Sequence, residues 1–223
     1  MKSIFAGTLV LVFAATADGQ VRRRVPRPVQ PSVWVSASLG LFNANDVSDG
    51  ATGSTWDFGR ASTPQFRASI EKGMSNSIAI GAVGSFAHVP FTYVGDNGDN
   101  SCDRCAAHLD VVSLGASFRL AGATGFHQVL EASAGVLQFR NLTRDSDESA
   151  LAPVDGNVDP FFTFGYGFGY GFSPNMHVSV VQDFGLALHE REGLTSEQSN
   201  TLRQRTIRAN FRYGFGNRVK RRR

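Results

Sequence analysis

The sequence predicts an all-β chain that closes into an eight-stranded antiparallel up-and-down transmembrane β-barrel. Three observations predict it. Apolar residues recur with a period of two in segments of the length a tilted membrane strand needs. The connections between those segments alternate between tight turns and long polar stretches. No later segment has the length and apolarity of a membrane-crossing helix, because Gly, Ser or a charge interrupts each one.

The 223 residues are 42% hydrophobic and only 18% charged, with 24 Gly and 18 Phe, enough for one domain with a full interior. Met1–Ala17 reads as a secretory signal: Lys2, an apolar run from Ile4 to Ala15, and Ala15-Thr16-Ala17 as a small-residue cleavage site. Residues 18–31 form a Pro/Arg-rich segment, with Arg22, Arg23, Arg24 and Arg27 and the proline spacing of an extended linker. The barrel is assigned to residues 32–215, and residues 216–223 form a basic tail ending in Lys220, Arg221, Arg222 and Arg223. The net charge of +3 therefore sits at the two ends. Without base-stacking motifs, a basic tail on an exported chain fits anionic headgroups better than nucleic acid, and no nucleic-acid partner is expected.

The first segment carries Val33, Val35, Ala37, Leu39 and Leu41, the second Phe66, Ala68 and Ile70, and the third Ile78, Ile80, Ala82 and Phe86. Val112, Leu114, Ala116, Phe118 and Leu120 make the fourth, and Leu130, Ala132, Ala134 and Val136 the fifth. In the sixth, Phe162, Phe164, Tyr166, Phe168, Tyr170 and Phe172 alternate with Thr163 and four glycines. Val178, Val180, Phe184, Leu186 and Leu188 mark the seventh, and Ile207, Ala209, Phe211, Tyr213 and Phe215 the eighth. Tight turns fall at Gly73–Asn76, Ala121–Gly125 and Ser173–Asn175. Long loops fall at Asn43–Thr55, Gly95–Ala107, Asn141–Pro160 and Glu190–Thr201, which places both termini on the short-turn, periplasmic side.

Alternation leaves open which face is outside. Eight strands enclose too little volume for six aromatics from one strand, so those rings face outward. The other face offers Ser36, Ser38, Gly115, Ser117, Ser133, Gly135 and Ser179, and after the signal the chain has only Lys72 and Lys220 as lysines, a poor soluble surface. Trp34, Trp56, Phe91, Tyr93, Phe126, Phe161 and Phe172 are assigned to the two interfacial aromatic girdles.

Arg67, Glu71, Arg119, Glu131, Asp183, Arg208 and Arg212 fall on the lumen face as a charge network, with Asp183 and Arg208 at similar depth and expected to pair, since a lone buried charge costs several kcal/mol. Glycines of the sixth strand leave room for arginines from the far wall. The expectation is a packed polar lumen, with a narrow pore as the competing reading.

Val33 to Phe215 resembles the small outer-membrane barrels of the OmpA-like transmembrane domain and the OmpX and Ail group, through the export signal, the eight dyad-patterned strands, the alternating loop lengths and the closing aromatics Phe211, Tyr213 and Phe215. The resemblance implies a bacterial outer-membrane location and assembly by the periplasmic chaperones and the barrel-assembly machinery. Here Gly216-Asn217 and the basic tail displace the terminal aromatic signal, and no peptidoglycan-binding domain follows.

Cys102-Asp103-Arg104-Cys105 in the second long loop reads as a disulfide, a redox pair, or a metal half-site with His88 and His108. The oxidising compartment favours the disulfide, and the outward parity of both histidines disfavours metal. Asp96, Asn97, Asp99, Asn100 and Asp103 lack the spacing of a calcium loop. None of His88, His108, His127, His177 and His189 has a Ser and a carboxylate at a diagnostic spacing. The resulting expectation is a non-enzymatic barrel, with no metal or cofactor, that displays its loops for adhesion, surface protection or membrane integrity. Its expected partners are outer-membrane lipids, lipopolysaccharide and an extracellular surface ligand. A lipid-A-modifying enzyme is the alternative class.

Overall fold

The computed structural model describes residues 31–59, 62–95, 102–153, 158–189, 192, 194 and 198–216. The signal, the Pro/Arg-rich segment up to residue 30, Asp96, Asn97, Asp99 and Asn100 of the second loop, and the tail beyond Gly216 lie outside the described residues.

Eight long strands form the barrel: β1 (Val33–Ala44), β4 (Thr63–Gly73), β5 (Ile78–Val94), β6 (Arg104–Ala121), β7 (Gly125–Arg144), β8 (Val158–Ser173), β9 (Met176–Leu188) and β10 (Thr201–Phe215). Each pairs antiparallel with its sequence neighbour, and β1 closes the ring on β10 from Val33↔Phe215 to Ala44↔Gln204. Closure leaves no free edge, the condition for placing backbone polar groups in hydrocarbon. Two short strands, β2 (Val47–Ser48) and β3 (Thr55–Asp57), occupy the first long loop.

Burial alternates residue by residue along β8, β9 and β10. The exposed set is the apolar one: Leu39, Phe66, Ile70, Leu114, Phe118, the six aromatics of β8 at even positions, Val180, Phe184, Ile207 and Phe211. An apolar surface that encircles the molecule is stable only where the solvent is itself apolar.

The strands run past that band at the long-loop end. β5 leaves β4 after Ala87, picks up β3 through Thr55↔Val94, Trp56↔Tyr93 and Asp57↔Thr92, and stays paired with β6 as far as Val94↔Arg104. Outward residues turn polar there, at His88, His108, Asp110, Gln138 and Arg140 on one side and Arg203 and Arg205 on the other. The second loop is therefore shorter than the apolar pattern suggests, because pairing persists where the membrane no longer dictates side-chain polarity. The same reason extends β7 to Arg144 and shortens the third loop.

The interior has two halves. Phe42, Val47, Trp56, Phe58, Val89, Phe91, Tyr93, Leu109, Val111, Leu137, Phe139, Leu142, Leu151, Phe161 and Leu202 make one apolar core at the long-loop end. Below it the lumen is filled by charged and hydroxyl side chains, so the polar filling expected from the sequence holds for only part of the bore. The girdle assignment is corrected in the same way. Phe126 and Phe172 are exposed, but Trp34, Trp56, Phe91, Tyr93 and Phe161 are buried inside. They sit on inward-facing registers near the strand ends, where ring bulk fills the bore.

Candidate functional site

The seven charged residues assigned to the lumen all face the interior, in two groups. Arg119 on β6 and Glu131 on β7 lie opposite each other in register and are hydrogen bonded. Arg208 on β10 donates through Nε to Asp183 Oδ2 at 2.6 Å and through Nη2 to Glu131. Arg67 on β4 stands 3.7 Å from Asp183 and 3.9 Å from Glu131. Three guanidiniums thus surround two carboxylates, and Arg119 also reaches Ser179 Oγ at 3.4 Å. Nearer the short turns, Arg212 donates to Glu71 at 2.5 Å, Ser69 donates to the other Glu71 oxygen at 3.0 Å, and the Arg212 guanidinium carbon lies 4.0 Å from the Trp34 ring centre.

Small residues make room for these long chains, though the neighbours differ from the sequence expectation. A Cβ on Gly165 would fall 2.2 Å from Asp183 Oδ1, and one on Gly169 would fall 2.9 Å from His127 Nε2. The space is taken by side chains of the adjacent strands rather than by far-wall arginines. Arg119 is 2% exposed and Arg208 3%, so the middle of the bore is a packed ionic plug.

At the long-loop end, sequence reading missed His189. Its imidazole is buried, with Nδ1 2.8 Å from Asp159 and Nε2 2.9 Å from Asp49. Burial by itself would lower its pKa, but the hydrogen bonds and charges of the two carboxylates outweigh that and raise it to about 9. Burial likewise favours protonation of Asp49, and the bonds from His189 and from the Thr52 hydroxyl and N–H outweigh it and hold the carboxyl below its ordinary range. One imidazolium therefore ties the first loop, the start of β8 and the end of β9 together, its ring 5.1 Å from Trp56 and 5.6 Å from Phe139. Asp49 lies 140 residues and Asp159 30 residues before His189 in the chain, so no spacing signal announced the cluster.

On the outer surface above the apolar band, His88 Nδ1 lies 2.8 Å from Asp110 and His108 Nδ1 lies 2.7 Å from Asp145. The Thr143 hydroxyl is 3.2 Å from His108 Nε2. A register shift in β6–β7 between His108 and Asp110, with Asn141 at φ +52°, brings Thr143 opposite His108. A bulge of this kind re-aims a side chain. No sequence spacing relates these residues: His108 gains Thr143 from β7 and Asp145 from the residue that follows β7, across a strand pairing.

Cys102 and Cys105 form a disulfide, with Cα atoms 6.2 Å apart. Both residues are partly buried and pack against the apolar core. Among the described residues no group of three or more His, Cys, Asp or Glu is arranged to hold a metal ion.

No protein-family model matches the sequence, and no curated protein sequence matches it. Solved structures do. Neisserial surface protein A is 12% identical, with 82% of this chain and 97% of that one covered and a TM-score of 0.54. The outer-membrane protein OprG of Pseudomonas aeruginosa is 9% identical over 84% of this chain and 98% of its own, with a TM-score of 0.48. Ail, the attachment invasion locus protein of Yersinia pestis, is 14% identical over 82% and 99%, with a TM-score of 0.38. The chain has the fold of the small outer-membrane barrels.

Proposed function

We propose that the chain is an integral outer-membrane barrel without enzymatic activity, whose strand extensions and loops are held rigidly on the cell exterior for adhesion, surface protection or membrane integrity. One observation carries this reading: the band of outward apolar side chains stops while β5, β6 and β7 continue, and above it an apolar core fastens those extensions to the first loop. A barrel serving only as a pore has no use for a core there, and an ionic plug fills the bore beneath it. Outer-membrane lipids and lipopolysaccharide are the surroundings this surface suits, and the outward Phe211, Tyr213 and Phe215 of β10 suit the barrel-assembly machinery.

The test exchanges the tips of the long loops while keeping the strands. Heat-modifiable mobility should survive and attachment of cells to host or matrix surfaces should fall; attachment that ignores the exchange overturns the display reading. A steady single-channel current in a planar bilayer would overturn the plug.

A second reading rests on His108. Thr143, His108 and Asp145 supply a hydroxyl, a base and an orienting carboxylate, the groups that activate a nucleophile toward an ester once the Thr143 proton turns to His108 from the Asn141 carbonyl, to which it donates at 2.8 Å. Attack would pass the Thr143 proton to His108, form an acyl-threonine ester and release the alcohol, and water would then free the acid. Deacylation of lipid A by purified membranes that disappears in His108→Ala would replace the first reading with this one.

A further inference from the structure

We propose that Arg203 and Arg205 form a binding site for the phosphate of an acylated outer-leaflet lipid, whose hydrocarbon lies in the aromatic groove beside them. The inference rests on the reading of the chain as an integral membrane barrel and adds to it a specific lipid site.

A concavity of about 530 Å³ lies on the outer wall where β8, β9, β10 and β1 meet. Phe162, Phe164, Phe184 and Leu186 line its apolar part, and Arg203 and Arg205 line its β10 side, in register with Leu186 and Phe184. Alternation puts both arginines on the outward face, two and four residues before Ile207, the last apolar outward residue of β10 toward the long loops. Along β10 the outward face changes there from apolar to cationic, while Leu186 and Leu188 keep the outward face of neighbouring β9 apolar beside and beyond the pair.

The two cations differ from the other outward arginines. Arg140 donates to Gln138 at 2.7 Å, and Arg104 stands 4.0 Å from Asp57. Among the described residues the guanidiniums of Arg203 and Arg205 have neither a carboxylate within ion-pair distance, as Arg104 has, nor a side-chain hydrogen bond, as Arg140 has. Arg205 instead lies over the Phe184 ring, 5.7 Å from its centre, which keeps the guanidinium against the groove. Asn45 fixes the neighbouring backbone: its side-chain oxygen accepts from Arg203 N at 2.5 Å, and its own N–H donates to the Arg203 carbonyl at 3.1 Å. Two forked cations on a fixed strand, beside a groove with room for an acyl chain, complement a ligand that is anionic at one end and aliphatic at the other. A guanidinium pair without the groove would suit any anion. The groove without the pair would suit any lipid.

The experiment uses the folded full-length barrel in phosphatidylcholine vesicles carrying diphosphoryl lipid A, dephosphorylated lipid A, or neither, with lipid retention read by native mass spectrometry after detergent extraction. Wild type should retain diphosphoryl lipid A. R203Q/R205Q should retain it roughly thirtyfold less, as expected for two interfacial charges. Dephosphorylated lipid should lose a similar factor, R104Q/R140Q should match wild type within about twofold, and millimolar inorganic phosphate should not displace the lipid. Equal retention by R203Q/R205Q, or displacement by free phosphate, overturns the site. Failure of the wild-type chain to insert and to show heat-modifiable mobility would instead overturn the membrane-barrel reading on which it rests.

Discussion

The bore is filled in two ways, and the contrast shows what the membrane dictates and what it leaves free. In the middle, Arg67, Arg119 and Arg208 interlock with Glu131 and Asp183 above the Arg212–Glu71 pair. At the long-loop end, Trp56, Phe139, Leu109 and Leu137 pack as in a soluble core, and among the described residues the buried charges there are one cation between two carboxylates at His189. The outer wall of the first region is fixed as apolar by lipid, so its polarity lies entirely inside. The second region stands above the band, where the outer wall is polar, and its interior holds the apolar mass.

The largest test of this contrast removes a charge from the middle. Glu131→Ala leaves three guanidiniums facing a single carboxylate, and stability in urea should fall by about 3–5 kcal/mol, the cost of orphaning buried charge. A midpoint within about 0.5 kcal/mol of wild type would mean that water reaches the network. At the other end, Trp56→Ala should cost about 3 kcal/mol, near the lower bound for a buried Trp because the site lies at the end of the bore. The loops should become protease-sensitive while the heat-modifiable barrel persists. Simultaneous loss of both would make the two halves one cooperative unit.

Titration separates the regions further. His189 has a raised pKa, so its contribution is complete below its unfolded value of 6.5 and is lost as pH rises through about 9. The lowered pKa of Asp49 contributes above 3.8 and is lost in acid. Loop resistance to protease should therefore be level between about pH 5 and 6.5 and decline toward pH 10, and His189→Gln should abolish that alkaline slope. A slope that survives in the variant would assign it to another group. The smallest effect is expected of C102S/C105S: the disulfide closes a very short loop, worth about 2 kcal/mol at most in the chain-entropy account, and cleavage near residues 95–105 should report it while the barrel midpoint holds.

The sequence by itself determined the number of strands, which face meets lipid, and which charges enter the bore. Each follows from a period of two over segments such as Phe162–Phe172, because a strand sends alternate side chains to opposite faces whatever its partners are. The order of short turns and long connections was legible for the same reason, since turn chemistry is local. Only the tertiary structure decided how far the strands outrun the membrane, that Trp34, Trp56, Phe91, Tyr93 and Phe161 turn inward, and that His189 joins Asp49 to Asp159 and His108 joins Thr143 to Asp145. Those outcomes depend on register between strands and on the curvature of the closed wall, which bring together residues that no spacing along the chain relates.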